Sequence, residues 1–265
     1  KEFTQQQVHQ GYIEPHACMG QMGADGRGEL WVCTQGHWFV RRMSTAVLGV
    51  ETTNIRVTPS EIGGGFGGKT TVFIEPVALA LSRKAGGKPV KMVMSRSEVL
   101  RATGPTSSAS MDIKMGITKD GRITAAHGTF RMQGGAFPGA PVDVTTMLAF
   151  ANYNIEHVHH IGYDVMTNRP KQAAYRAPGA PMAAFAVEST LDELCRTLGL
   201  DPIETRLKNA AKEGTRSTYG PKYGPIGLVE TLQAAQAHPN YSVPLGPNQG
   251  RGIASGYWMN WGGET

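Results

Sequence analysis

The residues best suited to chemistry are the eight from Gly63 to Thr70, which read Gly-Gly-Gly-Phe-Gly-Gly-Lys-Thr. Glycine inside a helix or a strand costs about 0.5–1 kcal/mol relative to alanine, so this run predicts a loop. Without Cβ atoms in the way, several consecutive backbone N–H groups can turn toward one ligand. A predicted strand at 54–58 precedes the loop, and a predicted helix from 73 to about 85 follows it, with Pro76 in its first turn. The arrangement would present amides and a helix N-terminus to an anion such as a phosphate.

Two interpretations of this glycine loop stay open at the level of the motif itself. Residues 63–70 match G-x-x-x-x-G-K-[ST], the pattern of nucleotide-binding P-loops, at every fixed position. Against that match, residues 59–62 separate the strand from the glycines, Phe66 is bulky, and no later apolar strand ends in an aspartate suited to magnesium. The other interpretation is a glycine-rich surface loop that binds nothing.

Composition narrows the function classes. The 265 residues are enough for one large or two small domains, and the net charge of 26 − 21 = +5 is spread without a basic run, which argues against a nucleic-acid-binding arm. Cys18, Cys33 and Cys195 show no C-x-x-C spacing, so a reducing, cytoplasmic location without a zinc or iron–sulfur site in this chain is expected. No apolar run is long enough to predict a membrane span. The periplasm stays open, because the sequence begins at Lys1 and a leader cannot be judged.

Gln35 is a second candidate for ligand binding. Residues 29–33 predict a strand and residues 35–48 predict a helix, with Thr34 as its N-cap. Gln35 would then lie at the strand-to-helix turn, where α/β proteins commonly expose ligand-binding side chains. A solvated first-turn glutamine is the alternative. Trp38, in the same helix, is expected in the core rather than stacked on a ligand.

The middle of the chain predicts mostly β-structure. The predicted segments are a strand at 89–94, a hairpin of strands 108–117 and 123–131 with an Asp-Gly turn, a second glycine-rich loop at 132–139, and a strand at 155–166. Alternation along the last strand places His157 and His159 on one face, where a metal site is conceivable. Because no carboxylate or cysteine shares that face, an ordinary strand surface is the favoured interpretation.

Arg176 is a third candidate, because it stands in a rigid loop just before a helix. Residues 173–181 contain two prolines and a glycine, which exclude regular structure. A salt-bridging surface arginine is the alternative. The remaining predicted segments are a helix at 182–198 stopped by Gly199, a helix capped by Asp201 that runs to 212, a helix at 228–237, a linker at 239–249 and the start of a strand at 250–261.

Five short motifs follow one another along the chain. They are Q-G-Y-I-E-P-H at 10–16, T-Q at 34–35, I-G-G-G-F-G-G-K at 62–69, A-Y-R-A-P-G at 174–179 and D-P-I-E-T-R-L-K-N at 201–209. Together they resemble the molybdenum-binding large subunit of the xanthine dehydrogenase, aldehyde oxidase and carbon monoxide dehydrogenase family. The resemblance implies an α+β fold with mixed sheets and packed helices, in which a first molybdopterin-binding domain occupies 1–245 and a second begins at 246–265. It also implies a molybdenum–molybdopterin cofactor, expected in the cytosine dinucleotide form.

The resemblance also implies roles for particular residues. Gln35 matches the glutamine near the metal, and the loop residues Gly64, Gly65 and Phe66 match the stretch that packs against the metal and the pterin. Arg176 matches the arginine whose main chain contacts the cofactor from the other side.

Further expectations concern the substrate and the rest of the enzyme. Thr70 and Phe137 are expected in the substrate pocket. The family's catalytic base, a glutamate, is expected beyond Thr265, in the second domain or in a separate second subunit. Iron–sulfur clusters and FAD are expected in partner subunits, and no metal ligand is expected among the side chains of this chain.

Departures from the family pattern bear on the substrate. Purine-oxidising members carry a glutamate where this chain has Thr70, and carbon monoxide-oxidising members carry Cys-Ser where it has Ala177-Pro178. Both substrates are therefore disfavoured, which leaves an aldehyde, an N-heterocycle or an aromatic thioester. The alternatives are a cofactor-holding or assembly subunit that is silent on its own, and a P-loop NTPase.

Overall fold

Two four-stranded sheets organise the computed structural model, which describes residues 1–259. The strands are β1 Glu2–Gln5, β2 Ala17–Met22, β3 Gly28–Val32, β4 Ile55–Pro59, β5 Val90–Val93, β6 Ala109–Ile117, β7 Ile123–Gly135 and β8 His157–Met166. The helices are α1 His37–Leu48, α2 Glu75–Lys84, α3 Arg96–Ala102, α4 Val142–Leu148, α5 Ala180–Leu198, α6 Pro202–Asn209, α7 Leu228–Ala237 and α8 Pro239–Ser242. One sheet has the order β1-β6-β7-β8 and the other β4-β3-β2-β5. The α+β fold with mixed sheets is confirmed.

The first sheet is built around the predicted hairpin. β6 pairs antiparallel with β7, and β8 then pairs with β7 in parallel, so the sheet is mixed. Its inner face packs on α5 through a core that includes Met111, Phe130, Phe150 and Leu191. The prediction that the strand ends at 131 is wrong: β7 continues to Gly135, because the ladder with β8 extends that far.

The second sheet carries α1 and α2 on one face and positions the glycine loop between β4 and α2. A Cβ on Gly20 of β2 would lie 3.1 Å from the backbone carbon of Ala78, so glycine lets α2 approach the sheet closely. Cys18, Leu30 and Leu79 fill the core between the layers. The strands predicted at 29–33, 54–58 and 89–94 and the helix predicted from 73 to about 85 are confirmed.

The start of α1 differs from the prediction. The helix begins at His37, and its N-cap is Gly36 rather than Thr34. The Thr34 hydroxyl, which was expected to cap the helix, instead donates to the Lys69 carbonyl at 2.9 Å. A contact with a distant residue thus replaces the local cap. Trp38 is 69 % exposed and lies on Arg41, because the buried stripe of the helix runs through Val40 and not through the indole; the prediction of a core tryptophan is wrong.

Some elements were not predicted, and one predicted helix is too long. The polar segment 1–16 contains β1, and three further elements, β2, α3 and α4, were not predicted. The signal for α3 was present in the sequence, since Ser95 and Glu98 form a capping box. Asp201 caps α6 as predicted, but the helix ends at Asn209 rather than 212, where Ala210 turns to bridge Tyr153.

The end of the described chain is irregular rather than β-structure. Residues 251–259 form no strand, and the predicted linker contains α8. The backbone N–H of Ser255 donates to Glu188 at 2.8 Å and its carbonyl accepts from Asn152 at 2.9 Å, so side chains replace a neighbouring strand. Residues 260 and 261 of the predicted strand lie outside the described residues, and a domain boundary at 245 stays a prediction. No helix within 1–259 has the length and apolarity of a membrane span.

Candidate cofactor site

The glycine loop holds a phenylalanine in an unusual backbone conformation. Phe66 has φ = 50°, in the left-handed region that side chains rarely adopt, and Gly64 and Gly67 on either side also have positive φ. The Phe66 carbonyl accepts a hydrogen bond from the Arg176 backbone N–H at 3.0 Å. The loop and the arginine segment are therefore joined main chain to main chain, and the Phe66 ring is left 46 % exposed.

Gln35 is oriented by the same loop. Its Oε1 atom accepts hydrogen bonds from the backbone N–H groups of Gly67 at 2.9 Å and Lys69 at 3.3 Å. Two backbone donors assign the oxygen end of the amide, so the opposite end is the NH2 group. Within residues 1–259 that NH2 group has no hydrogen-bond partner, and the side chain is exposed. The site thus offers one free, fixed donor beside the loop.

The glycines keep the loop close to its neighbours. A Cβ on Gly65 would lie 2.4 Å from Gln35 Oε1, and a Cβ on Gly67 would lie 2.6 Å from the Ala174 carbonyl oxygen. Real Cβ atoms are essentially never found at such distances. Glycine at both positions therefore lets the loop pack directly against Gln35 and Ala174, and we call the loop together with these two neighbours the cradle.

Lys69 closes the loop from behind. Its ammonium lies 2.5 Å from Glu14 Oε2, and the same oxygen accepts the Gly63 backbone N–H at 2.8 Å. We call Lys69, Glu14 and Gly63 the loop clamp. The Lys69 side chain is 0 % exposed and lies over the Tyr12 ring, so it points away from the surface that a phosphate would approach. A P-loop function is therefore not favoured.

Burial shapes the electrostatics behind the loop. Partial burial disfavours the Glu14 carboxylate, but hydrogen bonds from Lys69 and the Gly63 amide outweigh it, so the pKa of Glu14 is lowered. Burial, with help from the Lys69 charge, lowers the pKa of His16 to about 4. His16 Nε2 lies 2.7 Å from the Tyr12 hydroxyl, which burial keeps protonated by raising its pKa. The loop thus rests on a dense polar layer.

A cavity of about 660 Å³ adjoins Phe66. Its lining includes Phe66, Arg176 and Gln10. Helix α5 begins beside it with no side-chain cap at Gly179 and no acidic residue in its first turn, so its positive end is not neutralised. A guanidinium and a free helix N-terminus favour an anionic group. The buried Gln10 Oε1 atom has no hydrogen-bond partner in the described chain.

The two residues expected in a substrate pocket lie on different loops. Thr70 is half-buried, and its hydroxyl donates to the Gly67 carbonyl at 2.9 Å. Phe137 is 66 % exposed in the turn after β7. Within residues 1–259, no hydrogen bond joins that turn directly to the glycine loop. The segment 167–176 links them instead, since Gln172 bonds to Gly134 and Arg176 to Phe66.

Sequence reasoning gave no role to Gln10 or Glu14. Both were quoted within a motif, but nothing in a polar, irregular stretch marks which side chains turn inward. Gln10 donates to the carbonyl of Ala174 at 2.9 Å across 164 residues, and Glu14 reaches Lys69 across 55. Such partners cannot be read from local spacing.

The comparisons with known proteins identify a cofactor-binding domain. Residues 1–210 match the family model of the molybdopterin cofactor-binding domain. The chain therefore belongs to this family, and the resemblance drawn from the five motifs is confirmed.

The relatives are subunits or enzymes of the molybdenum hydroxylase type. The chain is 33% identical over 230 residues to a xanthine dehydrogenase molybdenum-binding subunit of Escherichia coli O157:H7, covering 84% of this chain and 30% of the relative. It is 31% identical over 229 residues to a nicotinate dehydrogenase large molybdopterin subunit of Eubacterium barkeri, covering 85% and 54%. The structure superposes on aldehyde oxidoreductase from Desulfovibrio gigas with a TM-score of 0.83 and 27% identity, covering 89% and 26%. The chain thus spans between a quarter and about half of these relatives.

Proposed function

We propose that this chain holds one side of a molybdenum–molybdopterin cofactor in an oxidoreductase that uses water as its oxygen source. The observation that supports the proposal most directly is the free NH2 group of Gln35, fixed by the amides of Gly67 and Lys69 beside the cradle. Phe66 and Arg176 form the opposite wall through their main-chain bond. A donor, an exposed ring and a cation around a glycine-lined cradle suit a flat, polar, anionic group.

The residues present fit such a group by three observations. Side chains at Gly65 or Gly67 would collide with Gln35 or Ala174, the neighbours that hold the cradle in shape. The buried Gln10 Oε1 beside the cavity lacks a donor, and a pterin carries N–H groups. The unneutralised start of α5 and Arg176 suit the phosphate of the cofactor.

Each residue has a defined task in this proposal. Gln35 donates through its NH2 group, Gly64 and Gly65 allow close approach, and the Phe66 ring excludes water from one face. Arg176 contributes its main chain to the loop contact and its charge to the cavity. The bound cofactor would supply two-electron oxidation of an electron-poor carbon.

Several finer features belong to the same proposal. We propose the cytosine dinucleotide form of the cofactor, iron–sulfur and FAD partner subunits, and a second molybdopterin-binding domain or subunit, expected from about residue 246, that supplies the base glutamate. A cytoplasmic location is supported by three buried cysteines, all of them free thiols. The relatives are named as molybdenum-binding or large molybdopterin subunits, which supports a multi-subunit enzyme.

The proposed substrate is an aldehyde, an N-heterocycle or an aromatic thioester rather than a purine. Thr70 is short, uncharged and already bonded to Gly67, so it would leave a purine edge unpaired. Each unpaired polar group costs about 1–3 kcal/mol. Phe137 is proposed to line the pocket with its exposed ring. A substrate panel on the complete enzyme with an artificial electron acceptor tests this, and equal kcat/KM for xanthine and the best aldehyde would contradict it.

The cofactor site itself is tested by adding one methyl group. Gly65→Ala places a Cβ against Gln35 Oε1 and must displace the amide. The matched control is Gly227→Ala, where φ is −97° and nothing lies within 4 Å. We expect Gly65→Ala to lower molybdenum and pterin per assembled enzyme several-fold and the control to leave both unchanged. Unchanged molybdenum and pterin content in Gly65→Ala would overturn the proposal.

Gln35→Glu separates the two ends of the side chain. The carboxylate keeps an acceptor for the amides of Gly67 and Lys69 but loses the free donor. We expect unaltered thermal unfolding of the cofactor-free protein together with reduced cofactor retention. If retention matched the wild type, the NH2 group would have no part in binding.

A further inference from the structure

The exposed face of the first sheet carries a pair of histidines that the cofactor site does not use. His127 of β7 and His159 of β8 are direct cross-strand neighbours in the parallel ladder. Their Nδ1 atoms lie 3.2 Å apart, with the rings tilted by 41°. Sequence alternation grouped His159 with His157, whereas the sheet pairs it with His127.

We propose that His127 and His159 form a binding site for a divalent transition metal ion of the zinc, copper and nickel class. Zinc–nitrogen bonds are about 2.0–2.1 Å long, so two nitrogens 3.2 Å apart subtend an angle of about 100° at a shared ion. That angle lies between the tetrahedral and square-planar values. The two rings therefore need no rearrangement of the strands to chelate one ion.

A contact with Thr129 is compatible with the tautomer that binding requires. His127 Nε2 lies 3.2 Å from the hydroxyl of Thr129, two residues along the same strand. If Nε2–H donates to that hydroxyl, the His127 Nδ1 atom carries a lone pair directed at His159. Ligating histidines commonly use their second nitrogen in this way. Without metal, the two Nδ1 atoms share one proton, and an ion would replace it.

The surroundings allow an ion to enter. His159 is exposed and His127 half-exposed, on the solvent side of the sheet. Lys114 of β6 lies opposite His127 in the ladder. Its side chain is exposed and can direct its charge into solvent. Within residues 1–259 no third histidine, cysteine or carboxylate completes a cluster, so water would fill the remaining positions.

The site has a structural consequence. Among the strands of residues 1–259, β8 lies at the edge of its sheet and pairs with β7 alone. An ion held by one residue from each strand would cross-link that edge. A ligand that binds only the folded state stabilises a protein by RT ln(1 + L/Kd), where L is the free ligand concentration. The ion would therefore raise the temperature at which β8 detaches.

The experiment titrates Zn²⁺ into the chelator-treated full chain by calorimetry. We expect one site in the wild type, weakened at least tenfold by His127→Gln or His159→Gln and about tenfold by Thr129→Val. His157→Gln is the matched control, because His157 shares the face of β8 but lies opposite Ala125. It should change affinity less than twofold.

A thermal melt guards against misfolded variants. Without zinc, all four variants should unfold near the wild-type midpoint, and zinc should raise the midpoint of the wild type and of His157→Gln but not of His127→Gln. Cu²⁺ should give an electron paramagnetic resonance spectrum with two nitrogen ligands. The proposal is overturned if His157→Gln weakens zinc as much as His159→Gln, or if His127→Gln leaves binding intact.

Discussion

Two buried ion pairs lie in different parts of the molecule and differ in how fully the chain encloses them. Arg206 and Glu188, in the core between α5 and α6, have side chains 0% and 4% exposed. Glu188 also accepts hydrogen bonds from the Tyr153 hydroxyl and the Ser255 amide. The loop clamp buries Lys69 completely but leaves Glu14 33% exposed.

The difference separates a structural role from a positioning role. Glu188 is almost completely buried, so water has little access to replace a deleted partner, and the network holds residue 255 against the core. Glu14 can be rehydrated if Lys69 is removed, so the loss falls instead on the geometry of the glycine loop. The comparison predicts that the first pair governs unfolding and the second governs cofactor retention.

The largest expected effect comes from breaking the enclosed pair. Arg206→Met leaves Glu188 buried without its cation, as well as Asp192 beside it, which should lower the free energy of unfolding by about 3–5 kcal/mol. Chemical denaturation measures the change, with exposed Arg196→Met as the control. Molybdenum per folded enzyme should stay constant. A selective loss of cofactor would contradict the distinction between a structural role for this pair and a positioning role for the loop clamp.

Next in size is the pH dependence of the layer behind the loop. The pKa of His16 is about 4 in the folded state against 6.5 in the free residue, so the unfolded chain takes up a proton first on acidification. The contribution of His16 to the free energy of unfolding is complete above pH 6.5 and is lost as the pH falls toward about 4. The loss is about 3 kcal/mol at most. The free energy of unfolding, measured at several pH values across this window, should depend less on pH in His16→Gln than in the wild type. Equal slopes for variant and wild type would show that another group titrates.

Removing the buried cation of the clamp should have a smaller effect on stability and a clear one on the site. Lys69→Met keeps the stem's packing but leaves the Glu14 carboxylate, which still accepts from the Gly63 amide, without its cation. We expect a loss of about 1–3 kcal/mol together with lower molybdenum content. Exposed Lys84→Met on α2 is the control. Full cofactor retention in Lys69→Met would mean that the clamp is only structural.

Glu14→Gln deletes the other member of the clamp. The amide oxygen can still accept from Gly63 and Lys69, but the buried charge on Lys69 is no longer matched, so a loss of about 1–3 kcal/mol is expected. Raised salt should reduce the difference from wild type only slightly, because Lys69 is shielded from solvent. A loss as large as that of Arg206→Met would show that the two pairs do not differ in kind.

Local chemistry determined much of this fold in advance. Alternation and an Asp-Gly turn predicted the β6–β7 hairpin, and Asp201 with Pro202 predicted the start of α6. Glycine runs and proline-rich turns predicted irregular backbone at the glycine loop and before α5. The order of five motifs was enough to indicate the family, because such a set is far more specific than the P-loop pattern within it.

Only the tertiary structure decided what the marked residues do. The orientation of Gln35 depends on amides 32 and 34 residues away, and the burial of Lys69 depends on Glu14, 55 residues away. Thr34 was expected to cap a helix and binds Lys69 instead, while His159 was grouped with His157 and faces His127. Backbone propensities act over a few residues, whereas side-chain partners are chosen by the close packing of distant segments, and spacing along one chain does not encode that.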